Sequence, residues 1–457
     1  MRSKMISFVE TRFFPKNLVS AGHWILFIAL LLALTGCGGT TPAPTPVPPI
    51  LIPSPSSPLP TPTPTREPQP MIVTLGLWLP EEFDPYGEEP AADLLAQQLT
   101  AFSKAYPDLQ VEVIVKKAHG RGGLLDFLRT ARDAAPSVLP DLVVLDATDL
   151  ETAAGSGLVQ PLDQLLPAAE MTDRFPFATE LGTVDGQTLG FVMAADMQHM
   201  AYRPDVLDSP PVSWTQVISP PVSFLFPAGG RDGQVNETTL IQYLAAGGKL
   251  TDSDGNPWLD EEVMVNVFGF YRDATSTAAI SPTFDTPAIS PTVVLGITDA
   301  DQSWERFQAG EGEVAAVRAG RYWLEADEAV AAAPLPTHDG QPFSIARGWV
   351  ITMVTEDPAR QTLALILLDW LIAPDHSAQW TQAAGYLPGT RSALRLWDIS
   401  SADRVALRSV MEAAVPAPRP EIMAVVGPLM QESLEAVLKG RTTPEEAATT
   451  AIKKLEE

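Results

Sequence analysis

The residues PDLVVLDATDLETAAGSGLVQPLDQLL, Pro140–Leu166, open with a short run of Leu and Val held between Asp141 and Asp146. An apolar run of this length, bounded by Pro140 and by polar residues, reads as a strand buried on both faces. Asp146 stands at its carboxyl end, where it reads equally as the N-cap of a helix beginning near Asp149 or as a group displayed beyond the strand. AGSGL reads as a helix end and turn. Working back, Ile72 to Leu79 (IVTLGLWL) is another apolar run, followed by a loop rich in Pro and Gly through Gly87. Ala91 to Tyr106 puts Leu94, Leu95, Leu99 and Phe102 on one helical face, and Pro107 stops it. Val111, Val113 and Val115 alternate as a strand, and Leu124, Leu125 and Leu128 mark a further helix. Strands alternating with helices imply an α/β fold with a mostly parallel sheet covered on both faces.

The N-terminal seventy residues differ in kind. Arg2, Lys4, Arg12 and Lys16 stand against a single acid, Glu10, and precede the apolar run Trp24 to Leu34. That is a charged n-region and an h-region, too short to span a bilayer stably. Leu34 Thr35 Gly36 Cys37 resembles the lipobox of bacterial lipoproteins, and Cys37 is the only cysteine. The resemblance implies a signal over residues 1–36 and lipidation of Cys37, which thereby partners membrane lipid. Two acyl chains anchor far better than one, each buried methylene contributing about 0.8 kcal/mol. Residues 37–70 are dominated by Pro and Thr, a composition that favours extended polyproline II and serves as a tether.

Of 457 residues, 45% are apolar, enough for full-sized cores, and length predicts two or three structural units. The formal charge of -26 becomes -29 once a signal with four bases and one acid is removed. Nucleic acid is therefore not an expected partner, since it requires a basic footprint. With Cys37 committed to lipid, no disulfide or catalytic thiol remains.

From Pro140 onward the landmarks acquire a recognisable order. Pro140–Leu166 is followed by VDGQTLGFVMAADMQHMAYRPDVLD (Val184–Asp208), PPVSW (Pro210–Trp214) and YLAAGGKLTDSDGNPWLDEEVMVNVFGFYRDATSTAAISP (Tyr243–Pro282). WERFQAGEGEVAAVRAGRYWL (Trp304–Leu324) and RGWVITMVTEDPARQTLALILLDWLIAPDHSAQWTQAAGYLPGTRSAL (Arg347–Leu394) come next, and the chain closes on RPEIMAVVGPLMQESLEAVLKGRTTPEEAATTAIKKL. In this order they resemble the extracellular solute-binding proteins of family 1, the maltose or sugar type that serves ABC importers. The resemblance implies a two-lobe periplasmic-binding-protein-like fold of type II with the ligand cleft between the lobes. The first lobe is expected over residues 71–195 and 335–373, the second over 196–334 and 374–457, with hinges at VMAADMQ and APLPTHDGQ.

The same resemblance implies function and site. The protein is expected to be a monomeric, membrane-anchored capture component that takes a small polar solute, a carbohydrate first of all, to ABC permease subunits. Its expected place is the outer face of the cell membrane, or the periplasm if a second membrane is present. The alternative is a cell-surface sensor or adhesion lipoprotein with the same fold. Expected ligand contacts are Trp78, Glu81, Asp146, Asp196, Arg231, Arg318, Arg347, Trp349 and Tyr386, since aromatic faces receive sugar rings and carboxylates or guanidinium groups bind hydroxyls. Each has a plainer reading: a core Trp78 before a solvated acidic loop, a hinge hydrogen bond for Asp196, surface ion pairs for Arg231 and Arg318. Trp304 reads as helix packing. The helix carrying Ala424 Val425 Val426 Gly427 Pro428 lacks the aromatic pair of the maltodextrin-binding relatives, which argues against a long oligosaccharide and leaves a smaller sugar or a different small polar ligand.

Enzyme chemistry has no support in the motifs. There is no GxSxG, HExxH or GxxxxGK[ST], and His23, His119, His199, His338 and His376 are scattered. TDSDGNPW has its Gly255 misplaced for an EF-hand and reads as a hairpin turn. No catalytic residue, metal or cofactor is expected.

Overall fold

β3, Leu142–Asp146, is buried along its first four residues, as a strand must be when helices cover its sheet from both sides. It sits near the middle of the computed structural model, which describes residues 72–163, 172–276 and 287–457. The chain divides into Met1–Pro68 and Gln69–Glu457. The expected signal, Cys37 and the Pro/Thr tether lie outside the described residues. Among the described residues no helix is long and apolar enough to cross a membrane.

The strands are β1 Val73–Pro80, β2 Leu109–Lys116, β3, β4 Thr183–Val184, β5 Gln187–Thr188, β6 Gly190–Tyr202, β7 Phe224–Leu225, β8 Val314–Arg318, β9 Ala331–Ala333, β10 Ser344–Met353 and β11 Ala414–Pro416. The main sheet runs β2-β1-β3-β10-β6-β8-β7, with β11 on β10 and β9 on β6, and β4 and β5 form a separate hairpin. It is mixed, where the strand and helix alternation implied mostly parallel pairing. β1 is parallel to β2 and β3, β7 to β8 and β10 to β11, but β10 is antiparallel to both β3 and β6, and β6 to β8 and β9. The cause is the connection between the two halves: β6 leaves the first half and β10 returns to it, so they lie side by side in opposite directions.

Side-chain alternation along these strands separates the core. Leu142 and Val144 of β3 face one cluster with Leu75, Leu77, Leu95, Phe102 and Leu367. Val143 and Leu145 face another with Leu128, Phe177, Leu394 and Met411. In the second half Val314 and Ala316 of β8 enter a cluster with Phe226, Tyr243, Phe268 and Met430, while Ala315 and Val317 pack with Trp304, Phe307 and Tyr322. Each half is thus a sheet with apolar layers on both faces, and the fold is the two-lobe α/β class.

Packing also locates the passages between the lobes. Met197 belongs to a first-lobe cluster and Met200 to the second. Ile345 belongs to the second and Ala346 to the first, so β10 crosses between adjacent residues. A third passage follows β11, between Ala414 and Ile422. Leu335 packs with the second lobe, and the helices Pro374–Ala384, Arg391–Leu396 and Ser401–Ala413 contribute Trp380, Leu394 and Met411 to the first. Pro420–Leu438 and Pro444–Glu456 supply the buried C-terminal residues of the second core, and Ala406 of Ser401–Ala413 packs against its other face.

Candidate ligand cleft

Where β6 and β10 cross side by side, their register sets Asp196 opposite Arg347, and the register of β10 with β3 sets Asp146 opposite Trp349. Gly348 lies between, and a Cβ there would stand 2.9 Å from the Ala194 carbonyl oxygen, so a small residue is required for the strands to pair. These residues floor a cavity of about 620 Å³ walled by both lobes. From the second lobe come Arg318 at the end of β8, Arg231, Glu237 and Asp299; from the first come Glu82 and Tyr386.

Three nine-residue helices begin here. Asp146 caps Ala147–Gly155, its Oδ1 accepting from the Thr148 amide at 2.8 Å and hydroxyl at 2.7 Å. Asn236 caps Glu237–Ala245, and Asp299 caps Ala300–Gln308. Their N-terminal dipole ends offset part of the negative charge that the carboxylates bring to the cleft.

The charged groups are joined in pairs. Asp196 accepts Nε of Arg318 at 2.7 Å and the amides of Met197 and Gly320 at 2.9 and 3.1 Å. Burial raises its carboxyl above the ordinary value, and the Arg318 guanidinium beside it opposes the rise. Arg318 is in turn held more firmly protonated by Asp196. Arg347 donates Nε to Glu237 at 2.8 Å, and burial again raises the carboxyl against the pull of the guanidinium. Arg231 donates Nη2 to Asp299 at 3.1 Å. Trp349 and Tyr386 are the aromatic part of the wall, and the buried Phe83 behind them meets Trp349, Trp380 and Tyr386 edge-on at 5.4, 4.8 and 5.4 Å. His119 stacks over Trp349 at 5.8 Å and sets its two ring nitrogens 3.6 Å from Asp146 and 3.5 Å from Asp149. A second groove of about 960 Å³ shares Asp146, Arg347 and Gly348 and runs on past His119 and Arg419.

Seven of the nine expected contacts are therefore brought to one cavity: Asp146, Asp196, Arg231, Arg318, Arg347, Trp349 and Tyr386. Two are not. Trp78 is 3% exposed, edge-on to Phe127 at 6.5 Å, because its position in β1 turns it into the core. Glu81 opens the short turn Glu81–Phe83, which delivers its neighbour Glu82 to the cavity instead. Several plainer readings hold alongside the cleft position: Asp146 is an N-cap, Asp196 a hinge acceptor, Arg231 and Arg318 ion-pair partners. Trp304 is fully buried and donates to Glu325 at 2.7 Å. Glu237 and Asp299 escaped notice in the sequence, although Asn236 and Asp299 at helix starts were available as signals. In the helix Pro420–Leu438 a Cβ at Gly427 would lie 2.1 Å from Gln234 Oε1, so the loop carrying Gln234 packs closely on the helix at that point.

A cavity between two α/β lobes, walled by strand ends and helix starts from both, defines a two-lobe ligand-binding protein. The model for the bacterial extracellular solute-binding protein family matches residues 97–406, and the chain belongs to that family. Among solved structures it is similar to the cyclic alpha-maltosyl-1,6-maltose binding protein of Arthrobacter globiformis, at 18% identity and a TM-score of 0.63 over 84% of this chain and 98% of that one. The sugar-binding protein MalE of Xanthomonas citri matches at 20% identity and 0.64, over 84% and 96%. Among curated proteins, the sn-glycerol-3-phosphate-binding periplasmic protein UgpB of Salmonella paratyphi A is 26% identical over 173 residues, 34% of this chain and 39% of that protein. The chain thus spans about two fifths of the length of the curated relatives it matches.

Proposed function

We propose that this protein captures a small carbohydrate by closing its lobes around it and presents it to the permease of an ABC importer. One observation carries the reading: seven polar or aromatic residues from β3, β6, β8, β10 and nearby loops converge on a single interlobe cavity, with guanidinium and carboxylate groups pre-oriented beside Trp349 and Tyr386. Such a set offers directional bonds to hydroxyls and an aromatic face to a sugar ring. The ligand contacts proposed are Asp146, Asp196, Arg231, Arg318, Arg347, Trp349 and Tyr386, joined by Glu82, Glu237 and Asp299. Solved neighbours named for sugars support the choice of ligand class.

Contacts from both lobes are complete only when the cleft is shut, so the ligand shifts an open and closed equilibrium by its preference for the closed form. Among the described residues, the first lobe comprises 72–163, 172–197, 346–353 and the helices through Ala413, the second the others, with pivots at 197–200, 345–346 and 414–422. The protein binds without altering its ligand, acts as a monomer, and is held at the outer membrane face through lipid on Cys37 and a Pro/Thr tether. The test is a thermal-shift and calorimetric screen of the full chain in detergent against mono- and oligosaccharides. A ligand at 100 times its dissociation constant adds about 2.7 kcal/mol of stability. A flat response to every sugar removes the carbohydrate reading, and recovery of altered sugar removes the binding-only one.

A further inference from the structure

We propose that the cleft selects uncharged sugars and rejects their phosphorylated counterparts, because each arginine on its wall is already bonded to a carboxylate; this rests on the carbohydrate reading above. The described residues lining the cavity include five carboxylates, Glu82, Asp146, Asp196, Glu237 and Asp299. Against them stand only Arg231, Arg318 and Arg347, with no lysine or histidine. Arg318 gives Nε and Nη2 to one oxygen of Asp196, at 2.7 and 2.6 Å, and Nη1 to Asp301 at 3.5 Å. Arg347 is bonded to Glu237 and Arg231 to Asp299, at 2.8 and 3.1 Å.

The carboxylates are fixed from behind. Asp196 is tied to the amides of Met197 and Gly320, and Asp299 accepts the Gln302 amide at 2.9 Å. A guanidinium anchored in this way aims its remaining N–H groups at a hydroxyl while its charge is locally balanced. A phosphate takes such an arginine only by drawing it away from its partner, leaving an enclosed carboxylate unpaired beside a dianion. An uncharged polyol asks for no such exchange, and the carboxylate of Glu82 on the cavity wall suits hydroxyl donors. The carboxylate excess therefore sets this cleft apart from a phosphate site, although the curated relatives that match part of the chain are named for glycerol 3-phosphate.

The experiment is calorimetric titration of the full chain in detergent with glucose, mannose, galactose, maltose and glycerol, each beside its own monophosphate. Each phosphate is expected to bind at least about tenfold more weakly than its uncharged parent. A phosphate that binds closer than this, or better, overturns the inference and leaves the carbohydrate reading standing. If no sugar of either kind binds, the carbohydrate reading fails and this inference falls with it. Glu237→Gln and Asp299→Asn each release one arginine and are expected to raise affinity for glucose 6-phosphate at least about tenfold. Melting curves establish which variant is folded, and a folded variant without that gain also overturns the inference.

Discussion

Gly320→Ala tests whether the junction between the lobes is as tightly built as the structure shows. Gly320 lies in the helix Ala319–Glu325, directly after β8, and its Cβ position is 2.1 Å from the carbonyl oxygen of Gly385. Ordinary contact begins near 3.4 Å, so an alanine forces the two main chains apart by more than about 1 Å. Neither side yields easily. Gly385 ends the helix Pro374–Ala384 in the left-handed region at φ 67°, and its own Cβ position is closed by Leu324 at 2.5 Å. The Gly320 amide donates to Asp196, and Tyr386 follows Gly385 into the cavity, so the displacement reaches the ligand contacts as well. Overpacking costs about 1–3 kcal/mol and the strained hydrogen bond about 1 kcal/mol more, giving a loss of about 2–4 kcal/mol. Urea unfolding of the full chain followed by tryptophan fluorescence measures it. Gly269→Ala is the control: it lies in the helix Glu261–Ala274 with nothing within 4 Å of its Cβ position, and gains about 0.5–1 kcal/mol. Equal midpoints for Gly320→Ala and the wild type would refute the reasoning.

Two further outcomes follow from buried polar groups. His199 is 1% exposed, its Nδ1 3.0 Å from the Met200 carbonyl and its ring edge-on to Tyr322, and burial pushes the imidazole down to about 4. The unfolded chain therefore binds more protons between pH 4 and about 6.5, so this contribution is complete above that range and is lost as pH falls through 4, by up to about 3 kcal/mol. Raised Asp196 and Glu237 act with the opposite sign, losing their contribution as pH rises, and cancel when wild type is compared with His199→Gln. Parallel stability profiles for the two proteins between pH 4 and 6.5 would exclude the assignment. Asp141→Asn disrupts a carboxylate that accepts the Gly76 amide at 2.8 Å and two nitrogens of Arg360 at 2.7 and 2.5 Å. Because Arg360 is 39% exposed, the expected cost is at the lower end for a buried pair, about 2–3 kcal/mol in urea unfolding.

Much of the cleft was legible because strand ends are legible. Asp146 closes an apolar run, Arg318 follows VAAV, and Arg347 and Trp349 flank a glycine in a strand, so each could be placed at an edge by local pattern. Trp78 was misplaced for a reason local pattern cannot supply. β1 is buried on both faces from Leu77 to Pro80, so apolar alternation does not reveal which side Trp78 takes. Glu81 and Glu82 are chemically equivalent in sequence, and the direction of one short turn chooses between them. Glu237 and Asp299 stand at helix starts whose arrival at the cavity is seen only in their pairing with residues 110 and 68 positions away.

By itself the sequence determined β1, β2 and β3, the helices between them and the α/β class, since hydrophobic periodicity and turn residues act over a few positions. Only the tertiary structure decided which lobe receives the helices between Pro374 and Ala413, because an amphipathic helix names the face it buries and not the sheet it buries it against. It also decided that every cleft arginine faces a carboxylate. Charge pairing depends on distance through space, and the residues that form these pairs are brought together by strands crossing between lobes.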